Sequence, residues 1–178
     1  MEYHTERLIL RRWKQSDREP FAALNANPEV MRYFPSTRTR EESDKMVNTV
    51  EQIIAEKGWG LWAVEEKSSG EFIGFVGLNI PGYELPFSPV IEIGWRLDKP
   101  FWGKGYAPEA AIKALEIGFE QFGMKEIVAF TALENLPSQR VMEKIGMTRC
   151  EEFDHPMLAE HHPLRRHILY RISHPKAG

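Results

Sequence analysis

The chain has 178 residues, a length that suits one domain over 1–178 and leaves no room for two large ones. Hydrophobic residues make up 42% and charged residues 28%, which places the chain among globular proteins with a core and excludes a disordered one. A net charge of -3 gives no general attraction to nucleic acid. No apolar stretch approaches the roughly 20 residues of a membrane span, and the charged segment Met1 to Arg12 argues against a secretory signal. The lone Cys150 has no disulfide or C-x-x-C partner, which fits a reducing cytoplasm, and it is expected as a buried strand cysteine.

Leu8 to Leu10 read as a first strand, and Ser16 with Glu19 reads as a capping box opening a helix toward Asn27. A second box, Thr39 with Glu42, precedes Met46, Val47, Val50, Ile53 and Ile54, whose spacing predicts a helix that ends near Gly58. Trp59 to Glu65 and Glu71 to Asn79 form a predicted hairpin. The segment 80–89, with three prolines, leaves the sheet before Val90 to Leu97 resumes a strand. A helix over Pro108 to Phe122, a strand over Ile127 to Thr131, a helix over Pro137 to Ile145, and strands near Thr148 to Phe153 and His167 to Ile172 complete the chain. The order β-αα-βββ-α-β-α-ββ predicts an α/β fold, a mixed sheet covered by helices with a right-handed parallel crossover at its centre.

Trp102-Gly103-Lys104-Gly105-Tyr106-Ala107 lies between the strand ending near Leu97 and the helix beginning near Pro108. Glycines let the backbone pass close to a ligand, and the free N–H groups of a helix's first turn favour phosphate oxygens. A Walker A loop is missing. A dinucleotide fingerprint would need Gly or Ala where Pro108 stands.

The run Ile91-Glu92-Ile93-Gly94-Trp95-Arg96-Leu97, then Phe101 to Ala110, then Asn135-Leu136-Pro137-Ser138-Gln139-Arg140 onward to Met147 resembles the GCN5-related N-acetyltransferase (GNAT) superfamily, in particular its RimJ/RimL-like branch. The opening Thr5 to Arg11 is similar as well, so the resemblance spans almost the whole chain. It implies a GNAT-like fold and acetyl-CoA as co-substrate. Trp95 and Leu97 would contact pantetheine, Trp102, Gly103, Lys104, Gly105, Tyr106 and Ala107 the pyrophosphate, and Asn135 the pantetheine or sulfur end. Arg140 would add positive potential, as would Lys144. Pro100 departs from the superfamily's frequent Gln or Arg at that place, which takes away one side-chain contact and leaves the backbone N–H groups.

Acetyl transfer needs a neutral amine, a place for negative charge on the carbonyl oxygen and a route for the thiolate to leave. Strand alternation puts Glu92 and Gly94 on one face, so a carboxylate projects beside a residue with no side chain, leaving room for an amine. By the resemblance Glu92 is the base that accepts the amine's proton. The superfamily's frequent leaving-group tyrosine is replaced by Met142, and Ser138 is the hydroxyl offered instead. Histidines 155, 161, 162, 167 and 174 lack the spacing of a metal set, so no metal is expected; the segment 154–166 would line the acceptor entrance instead. Trp13, Trp59 and Trp62 read as core, and Tyr33, Phe34 and Trp95 as the aromatics nearest an acceptor pocket. The implied partner is an amine acceptor, a peptide N-terminus or a small amine, with no nucleic acid or membrane and with a homodimer left open. A catalytically silent acyl-CoA-binding protein on the same fold is the competing class, and a protein that binds a nucleotide through the same turn ranks last.

Overall fold

In a computed structural model that describes residues 1–176, two N-terminal strands, β1 (Glu2–His4) and β2 (Leu8–Arg11), precede helices α1 (Arg18–Ala26) and α2 (Arg40–Lys57). Strands β3 (Leu61–Glu66), β4 (Phe72–Asn79) and β5 (Glu92–Leu97) follow, then helix α3 (Tyr106–Glu116), strand β6 (Glu126–Ala132), helix α4 (Leu136–Lys144), and strands β7 (Thr148–Asp154) and β8 (Arg166–Ser173). One sheet holds all eight strands in the order β1-β2-β3-β4-β5-β6-β8-β7, antiparallel except for the β5–β6 pair. The mixed sheet is as expected, with one strand more than the sequence pattern predicts. β1 is three residues long and without apolar alternation; it is held by pairing Tyr3 with Leu10 and by the Tyr3 ring set edge-on to Trp62 at 5.5 Å.

Local signals place several ends. Thr39 Oγ1 accepts from the Glu42 N–H at 3.1 Å and Glu42 Oε1 accepts from the Thr39 N–H at 2.9 Å, the reciprocal pair that starts α2. Gly58 ends that helix in the left-handed region at φ 81. The Ser16–Glu19 box does not form. Asp17 governs this turn instead: it accepts from the Lys14 N–H at 2.7 Å and is gripped by Arg11 at 2.8 and 3.0 Å, a buried charge pair that outcompetes a lone hydroxyl cap. α3 begins two residues before Pro108, and its C-terminal end widens into a π-turn over Ile117–Gln121.

Packing gives the sheet two distinct faces. Leu78, Ile93, Ile127 and Ala129 turn toward α3, where Gly118 sits so close that an added Cβ would lie 3.0 Å from Leu78 Cδ1 and Ile127 Cδ1. Phe21 of α1 packs on the other face against Trp13, Phe72 and Phe75, and its truncation to alanine would cost about 3–5 kcal/mol. The tryptophans expected in the core are there: Trp13, Trp59 and Trp62 are buried. Cys150 is not. It is exposed, because β7 is the outer strand of the sheet and buries only Phe153.

Candidate active site

The sheet opens where the one parallel pair is formed. Among the described residues the β5–β6 ladder consists of Glu92 opposite Val128, with the Val128 N–H bonded to the Ile91 carbonyl at 2.9 Å. Beyond that pair the two strands part, and the inner edge of β5 around Trp95 is left for a ligand to hydrogen-bond.

At the far end of that edge lies the glycine turn. Gly103 and Gly105 both stand in the left-handed region, at φ 72 and φ 80. No protein acceptor among the described residues takes the backbone N–H groups of 103 to 107, while the first bond of the new helix runs from the Glu109 N–H to the Gly105 carbonyl at 3.2 Å. Arg7 fixes the turn from outside: Nη1 donates to the Lys104 carbonyl at 2.9 Å and Nε to Glu109 Oε1 at 2.8 Å. The carbonyl is thereby tied away from the row of unpaired donors, which fits a pyrophosphate.

Glu92 lies on the sheet face opposite α3, level with Asn79 of β4, whose Nδ2 donates to Glu92 Oε1 at 2.9 Å. Burial pushes its carboxyl up to about 7, against the opposing effect of the Asn79 bond. Gly94 shares this face, and a Cβ added there would meet nothing within 4 Å, so the space beside Glu92 is open. Tyr83 closes the other side. Its phenol is pushed up to about 12, first by burial and then by the charge of Glu92. His155 Nδ1 accepts from the Met157 N–H at 3.1 Å, so the neutral ring carries its hydrogen on Nε2 and donates to Tyr83 Oη at 2.9 Å. The His167 ring lies 4.8 Å from that of His155, and its own pKa is lowered to about 4 by burial and by His155. Both imidazoles are therefore neutral near pH 7, which leaves Glu92 as the acid beside the open space among the described residues.

Across the opening, Asn135 caps α4. Oδ1 accepts from the Ser138 N–H at 3.3 Å, and Nδ2 donates to Thr131 Oγ1 at 2.9 Å and to Ser138 Oγ at 3.1 Å. Both amide hydrogens are spent inside the protein. Ser138 Oγ accepts one of them, so its own hydroxyl hydrogen is free to donate elsewhere.

The acetyltransferase (GNAT) domain family matches residues 7–148. The chain belongs to the GNAT acetyltransferase family. The Bacillus subtilis protein named uncharacterized N-acetyltransferase YnaD is 34% identical over 150 residues, covering 84% of both chains. FsC-acetyl coenzyme A-N(2)-transacetylase of Aspergillus fumigatus is 33% identical over 157 residues, covering 84% of this chain and 66% of that one. The crystal structure of a GNAT family acetyltransferase from Bacillus anthracis has a TM-score of 0.80 to this chain at 28% identity, covering 97% of this chain and 98% of that chain. The chain is thus an N-acetyltransferase by family.

Within this GNAT domain the residues singled out from sequence fall into three groups. Glu92, Gly103, Gly105, Ala107 and Ser138 border the opening or the turn. Leu97 is buried and Trp95 half-buried on the α3 side, and exposed Trp102 donates from Nε1 to the Leu97 carbonyl at 2.8 Å, bracing the turn. The Trp95 ring is turned away from Glu92, so of the three acceptor-side aromatics it is placed on the wrong face. Tyr106 can offer only its N–H to a phosphate: its side chain is buried, stacked under Arg7 at 4.4 Å with its hydroxyl donating to Glu66. Lys104 and Arg140 are exposed and free of carboxylate partners among the described residues. Asn79, Tyr83 and Arg96 escape sequence reasoning, and of the segment 154–166 expected at the acceptor entrance it is His155 that bonds Tyr83. Pairing Asn79 with Glu92 needs the β4–β5 register, and Tyr83 and His155 come from irregular segments with no periodic signal.

Proposed function

We propose that this N-acetyltransferase takes the acetyl group of acetyl-CoA to a primary amine, preferentially the α-amine of a protein or peptide N-terminus, as the RimJ/RimL-like branch does. The observation that carries the reading is Glu92, set where β5 and β6 part, beside open space, with a pKa near 7. A carboxylate of that strength accepts a proton from a peptide α-amine of pKa about 7.7–8.0 at small cost, but from a lysine ε-amine near ~10.4 at a cost of roughly two and a half further powers of ten. The donor assignment is supported by the unpaired N–H groups of 103 to 107 and by acetyl coenzyme A in the Aspergillus relative's name.

In this mechanism the amine nitrogen forms a bond to the acetyl carbon, the carbon–sulfur bond breaks, and the amine's surplus proton passes to Glu92. The Ser138 hydroxyl donates its free hydrogen in a hydrogen bond to the departing sulfur, and the proton that completes the CoA thiol comes from solvent. A thiol pKa near ~8.5 already makes thiolate a fair leaving group, so this contribution is modest. The lone exposed Cys150 is compatible with a reducing cytoplasm, where we place the enzyme; no helix among the described residues is long and apolar enough to cross a membrane.

The test is incubation with acetyl-CoA and a mixed library of peptides and small amines, followed by mass-spectrometric mapping of the acetylated nitrogen. Labelled peptide α-amines are expected. Labelling confined to lysine side chains or to non-peptide amines overturns the N-terminal preference, and no labelling with no release of CoA thiol favours a silent acyl-CoA binder.

A further inference from the structure

Arg96 stands four residues after Glu92 on the same face of β5, with Gly94 and its open space between them. Only 7% of its surface is exposed. Nη1 donates to Asn25 Oδ1 at 2.7 Å, while Nε is fully buried with no acceptor among the described residues. The guanidinium lies 4.5 Å from the ring of Phe34 and 5.1 Å from that of Phe75, its cross-strand partner. Among the described residues no carboxylate pairs with it. Its pKa is pulled down to about 9 by burial and then by the positive charge of Arg38.

A cation buried against aromatic rings and one neutral amide is expensive unless something else pairs with it. A structural tie between β5 and α1 would need only a neutral donor to Asn25, which is itself fixed to α2 through Ser43 Oγ at 3.0 Å. The surroundings repeat the same imbalance. Arg32 and Arg38, in the exposed segment between α1 and α2, have no carboxylate within ion-pair distance among the described residues, whereas neighbouring Arg40 is paired with Asp44 at 3.1 Å. This local excess of positive charge lies in a chain whose net charge is -3.

We propose that Arg96, with Arg38 at its rim and Phe34 as its cover, is a subsite for a carboxylate carried by the acceptor, so that the enzyme prefers N-termini with Asp or Glu at the second or third residue. The inference rests on the N-terminal reading above and narrows its substrate class. The spacing sets the position. Four strand residues separate Glu92 from Arg96 by about 13 Å along β5. An extended peptide advances about 3.3–3.6 Å per residue, so an acidic side chain at the second or third residue reaches Arg96 while the amine stays at Glu92. A free amino acid, whose carboxylate is next to its amine, is too short to engage both.

The experiment uses peptides alike except for Glu, Gln or Lys at the second and third positions, with initial rates measured at saturating acetyl-CoA. The Glu peptides should show a KM roughly ten- to hundredfold below that of the Gln peptides, the effect of one buried charge-assisted pair, with kcat little changed and the Lys peptides poorest. In Arg96→Gln the KM for the Glu peptides should rise to the Gln-peptide value. Arg38→Gln, on an exposed segment, should narrow the gap without touching the fold. The ranking in the wild-type enzyme decides the matter even if Arg96→Gln does not fold: equal KM values for Glu and Gln peptides, or a preference for Lys, overturn the subsite and leave the N-terminal reading standing. Labelling confined to small amines overturns both.

Discussion

Asn135 gives one amide hydrogen to Ser138 Oγ at 3.1 Å, and in doing so leaves the Ser138 hydroxyl hydrogen as the donor without a partner at the end of the opening between β5 and β6. The asparagine therefore orients a hydroxyl and caps a helix, and has no hydrogen left for a cofactor. Ser138→Ala should lower kcat about tenfold, below the usual range for an acid catalyst because the sulfur leaves readily, with KM for acetyl-CoA little changed. Asn135→Ala should lower kcat as much and also cost about 0.5–2 kcal/mol of stability through the lost cap. Steady-state kinetics beside thermal melts check both; an Asn135→Ala enzyme with normal kcat and a raised KM for acetyl-CoA would show direct cofactor contact instead.

Gly94→Val probes the space beside Glu92. A Cβ placed there meets no atom within 4 Å, and Gly94 has no left-handed φ, so the melting temperature should stay close to wild type. The valine fills the room of the acceptor amine, and kcat/KM for the acceptor should fall at least tenfold while acetyl-CoA still stabilises the fold. A variant as active as wild type would place the acceptor elsewhere.

For the glycine turn, acetyl-CoA at 100 times its Kd should stabilise the wild-type protein by about 2.7 kcal/mol, a rise of roughly 5–10 °C in Tm for a chain of this size. Gly105→Val forces a branched side chain into φ 80 beside Arg7, and should cost about 1–2 kcal/mol and abolish the ligand-induced rise. Differential scanning fluorimetry with acetyl-CoA, CoA and ATP separates this account from nucleotide binding, which predicts a rise with ATP alone.

Glu92 also leaves a mark on stability. Its carboxyl is raised from 4.5 to about 7 in the folded protein, so the folded state holds a proton that the unfolded chain has released across that interval. Its contribution to stability is full below pH 4.5 and is lost as pH rises to about 7. Glu92→Gln, which cannot ionise, should therefore gain stability relative to wild type between pH 4.5 and 7, with a constant difference above. Parallel melts of the two proteins across this range that never diverge would mean that Glu92 is solvated.

The order of elements and the glycine turn at 102–107 were legible in the sequence, because capping residues, alternation and paired glycines are local signals. The acceptor half was not. Glu92 can be placed beside Gly94 by alternation, but its strength as a base depends on Asn79 and on burial under segments far away in the chain. The role of the Tyr106 side chain was hidden for the same reason: Glu66, forty residues earlier, claims its hydroxyl and leaves only the backbone N–H to the glycine turn. Arg96 carries no local signal of its own; only the fold shows that, among the described residues, no carboxylate pairs with it.

The central claim, that Glu92 takes the proton from the acceptor amine, is tested most directly by the pH dependence of kcat/KM for a peptide acceptor in wild type and Glu92→Gln. The wild-type profile should rise through two ionisations, one near 7 from the carboxyl and one near ~8 from the amine. Glu92→Gln should still bind acetyl-CoA, lose the lower ionisation and fall furthest behind wild type between pH 7 and about 8, where the amine still carries its proton. An identical profile and turnover in the two enzymes would contradict the account and assign the base to another group.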